Sequence, residues 1–392
     1  MKNLIVFWLL LAFSASSFAA LSAGRYVIVS KLNGNALDVE NFSDSDGANV
    51  MQWLTLGGAN QQFDVAVLAD GSYSIRAVHS GKSLDVFEWN PNDGAELRQW
   101  SWSNSENQHW HINDVGGGYY SIVSKFSNRA LDVWEMNMYA GADVRLFTYW
   151  GGDGQKWTFQ RVGSSSECVA GATLTNRFVD CGGKTIGLSC PNSDEGQPAV
   201  LTLKNSSIRN VKIAANGGAD GIHCTSGNCT LADVVWNDIC EDAATNRSEG
   251  GTMTIAGGSA YNSNSGGYGG KPDKIFQHNS KNSTTIISGF TATGTNGKLW
   301  RSCGNCSNNG GPRNLLAYNV NIDGSIGSIA GANRNYNDRV TIRNLKIRNY
   351  SAGSPNVCEE FQGVQKGSSS TKYGEYWGTA SCDVSRADVS RL

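Results

Sequence analysis

The sequence predicts an all-β chain made of two parts that each repeat, and three observations carry that expectation. The tripeptide LDV returns at 37–39, 84–86 and 131–133; the same 47-residue interval separates Gly47, Gly94 and Gly141, and also Gln61, Gln108 and Gln155. Further on, an apolar-x-x-apolar-x-apolar pattern recurs at 208/211/213, 231/234/236, 287/290/292, 317/320/322 and 342/345/347. Both sets of apolar segments are short and bounded by turn residues, the signature of strands and not of helices. A repeat of this kind has to bury its apolar face against its neighbours, so the repeats set the architecture.

The chain opens with a different element. Lys2 is followed by ten apolar residues, Leu4 to Phe13, and then by small residues ending in SSFAA. This is the pattern of a secretory signal, with cleavage expected after Ala19. The apolar run is too short for a membrane span, which needs about twenty residues. Residues 1–19 are therefore expected to be removed, leaving a secreted, extracellular, soluble product with no membrane partner.

Residues 20–162 carry the threefold repeat. Each unit runs Tyr-x-Ile, LDV, Gly-Ala, an aromatic residue (Trp53, Trp100 or Phe147), then Gln-x-aromatic. In such a unit a ring can stack on the apolar face of a pyranose while a carboxylate and an amide bond its hydroxyls. The unit resembles the ricin B-type lectin repeat. That resemblance implies a β-trefoil of three four-stranded units, with sugar contacts from Asp38, Trp53, Asn60 and Gln61 in the first and Asp85, Trp100, Asn107 and Gln108 in the second. The third set is Asp132, Phe147 and Gln155; there Gly154 stands in place of the asparagine, so this site is expected to be the weakest. Phe63, Trp110, Trp157 and the Leu and Val of each LDV are expected in the core.

The segment GSSSE, 163–167, reads as a linker, and residues 168–392 form the second part. Starts of its apolar pattern differ by 23, 56, 30 and 25 residues; the 56-residue gap has room for another coil, with a strand near 252–256, plus an inserted Gly/Ser/Asn-rich loop at 257–270. A rough 22–30-residue period with Asn and Gly corners is what stacked coils of a parallel β-helix would show. All ten cysteines fall here, an even number for an exported chain, which predicts disulfides. Cys303-Gly-Asn-Cys306 looks like a redox or zinc motif, but no second pair has suitable spacing for four-ligand zinc. One bridge, Cys358 with Cys382, is expected to close the C-terminal tail. Residues 21–165 carry net charge −6 and residues 166–392 net +3. A mildly basic second part fits a polyanionic substrate. The absence of a Lys/Arg run or a nucleic-acid-binding motif excludes nucleic acid as the partner.

Four polar clusters carry the chemistry: ADGIHC at 219–224, CEDAAT at 240–245, DKIFQHN at 273–279 and GKLWRSCGNC at 297–306. In this order on a β-rich scaffold they closely resemble the pectate lyases of polysaccharide lyase family 3, over roughly residues 168–385. The resemblance implies a right-handed parallel β-helix, with Asp220, Glu241 and Asp242 as ligands of calcium (Ca2+), a hard cation suited to carboxylates. It places the base among Lys274, Lys298 and Arg301. Arginine is nearly always protonated, whereas a lysine crowded by cations can lose its proton, so Lys274 is favoured. Arg301 would then orient a substrate carboxylate and Lys298 assist it; an arginine base stays open. Glu195 also matches a motif position and could steer Lys274, protonate the leaving oxygen or merely serve a turn. His223 and His278 are expected to be buried, hydrogen-bonded residues.

The implied activity is a secreted calcium-dependent pectate lyase cleaving α-1,4-linked polygalacturonate by β-elimination, with a lectin module for plant cell-wall glycans, acting as a monomer. A polygalacturonase-type hydrolase and a non-catalytic sugar-binding protein are the alternatives.

Overall fold

A computed structural model of the chain describes residues 20–191, 196–263 and 272–392. The expected signal segment, Glu195 and the later part of the inserted loop lie outside the described residues. Among those residues every regular element is a strand or a 3-10 turn. No helix there is long and apolar enough to cross a membrane.

In the first part each LDV strand pairs antiparallel with the strand after it. The pairs are Ala36–Val39 with Val50–Trp53, Ser83–Val86 with Ala95–Trp100, and Ala130–Val133 with Val144–Phe147. Strand alternation sends Leu and Val of LDV inward and the Asp between them to the opposite face. Leu37, Leu84 and Leu131 are fully buried in one core with Phe63, Trp110 and Trp157, so these aromatics are packing residues. The first strand, Gly24–Ser30, pairs antiparallel with Trp157–Val162, which closes the unit on itself.

The second part is a stack of parallel ladders. One runs Arg177–Asp180, Ser207–Ile213, Cys229–Trp236, Thr252–Ala256, Ser283–Ser288, Arg313–Asn333 and Arg339–Ile347. The strand expected near 252–256 is the fourth of these. The apolar-x-x-apolar spacing is a corner. Asn210, Asp233, Gly257, Gly289, Asn319 and Asn344 all have positive φ, between 49° and 70°. Asn, Asp and Gly tolerate this left-handed conformation, which turns the chain sharply so that apolar residues on both arms point inward. The Asn344 amide donates to Asn319 Oδ1 at 2.6 Å, stacking one corner on the next.

The ten cysteines form five disulfides, 168–181, 190–240, 224–229, 303–306 and 358–382. Cys303 and Cys306 are thus bonded to each other, and Cys358 closes on Cys382. At the junction the ladder continues: Arg161 and Val162 pair in parallel with Arg177 and Phe178. Ser165–Glu167 forms a 3-10 turn capped by Ser164, and the Asn228 amide donates to Ser30 O at 2.9 Å and Lys31 O at 3.0 Å. Val27, Val29, Ala36 and Phe178 share a small core across the two parts.

Candidate active site and sugar pockets

A second parallel ladder sets the register Ile222↔Ala244↔Phe276↔Trp300. Two residues before each of these stand Asp220, Asp242, Lys274 and Lys298, so successive coils carry them in one column, about 4.8 Å apart per step. Gly221 lets the first two coils approach: a Cβ there, at φ +52°, would stand 2.2 Å from Ala243 O. One residue after the register positions, Gln277 lies beside Arg301.

Asp220, Glu241 and Asp242 are buried, and one carboxylate oxygen from each lies within 4.8 Å of the others. His223 Nε2 is 2.9 Å from Asp220 Oδ2 and Arg247 donates to the same oxygen at 3.2 Å. Burial works against the charge of Asp220, but His223, Glu241 and Arg247 together hold it below the usual carboxylate range. Burial, then repulsion from Asp242 and Asp220, pushes Glu241 strongly upward; burial also raises Asp242, against the pull of Lys274. Asp220 Oδ1 and Asp242 Oδ1 have no hydrogen-bond partner. Crowded carboxylates with unpartnered oxygens, and no nitrogen or sulfur donor among them, fit a hard divalent cation, which would relieve their repulsion.

Lys274 Nζ lies 2.6 Å from Asp273 Oδ1, 3.5 Å from Asp242 Oδ1 and 4.0 Å from Glu241 Oε1. Burial disfavours its charge, but these carboxylates outweigh burial and raise its pKa. The expectation of a lysine crowded by cations is therefore corrected: its neighbours are anions, contributed by the coil below and by Asp273. Arg301 differs. It donates to Ser302 O, to Gly331 O and Asn333 Oδ1 at 3.1 Å each, and sits 4.0 Å over the Phe361 ring. It forms no salt bridge among the described residues, and burial pulls it down to about 10. Lys274 and Arg301 line one cleft of about 510 Å³. Lys298 does not line it, because its ammonium is 3.6 Å from Glu359 Oε2.

Sequence reading missed several groups. Asp273 is next to Lys274 in the DKIFQHN cluster and was open to notice. Lys366, which lines the cleft, and Glu359, which takes Lys298 and also Lys372 at 2.9 Å, lie far along the chain in segments without motif character. His278 is buried, with its ring nitrogens bonded to Ser283 and Thr285, and burial holds it well below its ordinary pKa.

The first-part residues gather as two open pockets. Asn60 and Gln61 donate to Asp38 at 2.9 and 2.7 Å; Asn107 and Gln108 donate to Asp85 at 3.0 and 2.9 Å. Trp53 lines the first, about 700 Å³, and Trp100 the second, about 550 Å³. Gln61 also donates to Leu54 O while its carbonyl accepts from Leu56 and Gly57, so the glutamine is spent holding the loop and the aspartate. In the third repeat Phe147 is half-buried, Gln155 is buried with its amide donating to Thr148 O, and Trp150 Nε1 donates to Asp132 at 3.2 Å, where the missing asparagine would have done so.

Comparison with known proteins agrees with both constellations. The family described as pectate lyase matches residues 157–368, and the ricin-type beta-trefoil lectin domain-like family matches residues 13–100, 59–147 and 106–188. The probable pectate lyase D of Emericella nidulans is 36% identical over 194 residues, 48% of this chain and 67% of that one. The solved catalytic domain of pectate lyase PelI from Erwinia chrysanthemi is 60% identical, over 59% of this chain and all of that one, with a TM-score of 0.56. PelI in complex with tetragalacturonic acid is 40% identical over 89% of this chain and 97% of that one, with a TM-score of 0.54. With the matched segment spanning the column of Asp220, Asp242 and Lys274 and ending beyond Lys366, this chain belongs to the pectate lyase family, as an enzyme that carries a ricin B-type lectin-like unit ahead of its lyase segment.

Proposed function

We propose that this protein is a secreted, calcium-dependent pectate lyase that cleaves α-1,4-linked polygalacturonate by β-elimination and releases unsaturated oligogalacturonides. In this reading residues 1–19 are a signal, 20–162 a β-trefoil that binds cell-wall glycans, 163–167 the joint and 168–392 a right-handed parallel β-helix, in a monomer. The observation that carries it is the adjacency of three buried carboxylates to Lys274, which shares one cleft with Arg301.

Elimination removes the proton on C5 of a uronate and expels the glycosidic oxygen at C4. Calcium held by Asp220, Glu241 and Asp242 would neutralise substrate carboxylate charge and so make that proton more acidic. Lys274, as the neutral amine after its ammonium has released a proton to solvent, takes the C5 proton at Nζ. Its ammonium is held by the very carboxylates that form the cation group, so it keeps its own proton least firmly once they are otherwise engaged. Arg301, without a carboxylate partner and braced by three oxygens and the Phe361 ring, orients a substrate carboxylate. Glu195 stays a candidate for the proton of the leaving oxygen. A glycosidase would instead need two carboxylates facing each other across the scissile bond; here three are gathered on one side of the lysine. The deciding assay is the product. Polygalacturonate should yield an ultraviolet-absorbing unsaturated end, and reducing ends without that absorbance would establish hydrolysis.

Sugar binding in the first part should depend on pH. Burial, partly offset by the amides of Gln61 and Asn60, raises Asp38 to about 6, and Asp85 with Gln108 and Asn107 behaves the same way. A carboxylate accepts from sugar hydroxyls, and protonation removes acceptor strength. Affinity should therefore be complete above pH 7 and weaken as pH falls through 6, by about tenfold at pH 5. Calorimetric titration of neutral sugars checks this; affinity unchanged between pH 7.5 and 5 would remove both aspartates from the contact. Trp53→Ala and Trp100→Ala should each weaken binding more than Phe147→Ala.

A further inference from the structure

The two open sugar pockets are not equivalent, although the repeat that builds them is. The second is lined entirely by residues 85–107. The first is lined by Trp53, Phe42, Asp38 and Asn60, and in addition by Arg209 and Asp233 from the stack of coils. We propose that the first pocket is a joint site of both parts of the chain, in which Arg209 and Asp233 complete the wall around a neutral pyranose and turn away uronates. This rests on reading the first part as a lectin and extends it to a residue set that the lectin repeat does not contain.

Three contacts bring the stack against the pocket of this repeat. Gly57 has φ +68° and no Cβ, and the Phe178 ring occupies the space where one would stand, 1.7 Å away. The equivalent positions 47 and 94 residues on are Asn104 and Gly151, and a Cβ at Gly151 would meet only Tyr149 of its own repeat, so no coil of the stack approaches there. Arg209 then donates to Leu56 O at 3.0 Å, fixing the loop that carries Asn60 and Gln61. Asp180 pairs with Arg209 at 2.6 Å, so the guanidinium is held and its charge is already met.

Asp233 sits on the adjacent coil at a left-handed corner, exposed, and forms no salt bridge among the described residues. Equivalent corners carry Asn or Gly, so the carboxylate is not required by the turn. Around the cavity stand Asp38, Glu40 and Asp233 against one cation that Asp180 neutralises. Sugar hydroxyls can donate to all three carboxylates, whereas a uronate would add a fourth negative charge to them. The cleft holding Lys274, Arg301 and Lys366 has the opposite preference. One chain thus presents a site for acidic sugars and a site for neutral ones, suited to a polysaccharide that contains both.

The test uses the full chain in a Trp100→Ala background, so that the first pocket reports alone, with Asp233→Gly as the probe variant because glycine suits the corner. Galactose, glucose, mannose, arabinose, xylose and digalacturonate are titrated by calorimetry, with matched thermal melts as the folding control. Asp233→Gly should weaken binding of the preferred neutral sugar about tenfold, roughly the value of one charge-assisted hydrogen bond. In a Trp53→Ala background the same change should have no effect on that sugar. Digalacturonate should show no binding that Trp53→Ala abolishes. A loss of less than twofold in the Trp100→Ala background, no sugar binding by that protein at all, or Trp53-dependent binding of digalacturonate as tight as that of neutral sugars would each overturn the joint site. Failure of the lectin reading itself looks different: the Trp53→Ala, Trp100→Ala double variant would bind neutral sugars as well as the parent.

Discussion

Lys274→Ala should lower kcat on polygalacturonate by about three orders of magnitude, within the ~10²–10⁴ that a positioned acid or base supplies. Calcium affinity should be unchanged or tighter, because the ammonium now 3.5 Å from Asp242 and 4.0 Å from Glu241 competes for the same carboxylates. Arg301→Lys should act differently. It loses the Nη1 group that reaches Ser302 O, Gly331 O and Asn333 Oδ1, and the stacking on Phe361, so KM should rise with a smaller fall in kcat. Lys298→Ala should cost less than tenfold, since its ammonium is turned to Glu359 and away from the cleft. Steady-state kinetics of the three variants with calcium titrations decide the assignment. If Lys274→Ala kept its kcat within tenfold while Arg301→Lys lost nearly all of it, the base would be Arg301, which burial has already drawn down to about 10.

Removal of divalent cations should abolish cleavage, and calcium should restore it. Glu241 is raised toward the protonated form by burial and repulsion from Asp242 and Asp220, and Asp242 by burial and repulsion from Asp220 and Asp273, so cation binding has to displace protons. The sign follows: calcium affinity should rise with pH and weaken in acid. Binding to the folded chain alone should also raise the melting temperature, in proportion to about 2.7 kcal/mol at a hundredfold excess over Kd. Asp242→Ala should need far more calcium for half-maximal rate and lose most of the thermal shift, since its carboxylate supplies one of the three clustered oxygens. Full activity in excess chelator, after metal analysis confirms removal, would eliminate the cation group.

Much of this was legible because it is local. Within a 47-residue repeat the aspartate of LDV and the Asn-Gln pair that bonds it are only 22 and 23 residues apart; the aspartate and glutamine recur three times and the asparagine twice, a pattern that carries the lectin resemblance by which the pocket residues are named. The apolar-x-x-apolar corner was equally plain, since a left-handed turn needs Asn, Asp or Gly wherever it occurs. The clusters around Asp220, Asp242 and Lys274 could be picked out as chemistry-bearing, but their mutual arrangement could not be derived from spacing.

Only the tertiary structure decided that arrangement. Asp220, Asp242, Lys274 and Lys298 are separated by 22, 32 and 24 residues, and no periodicity links such intervals. A parallel stack makes residues neighbours by coil, whatever the length of loop between them, and so brings all four into one column. The same rule explains why the lysine premise failed: whether an ammonium meets cations or carboxylates depends on the coil below it, where Glu241 and Asp242 stand. It also explains why Lys298 turns to Glu359, and why one of the two sugar pockets meets Arg209 and Asp233. Sequence alone determined which residues carry chemistry in each repeat; the stacking of coils, set by hydrogen bonding between backbones far apart in the chain, decided which of them act on one another.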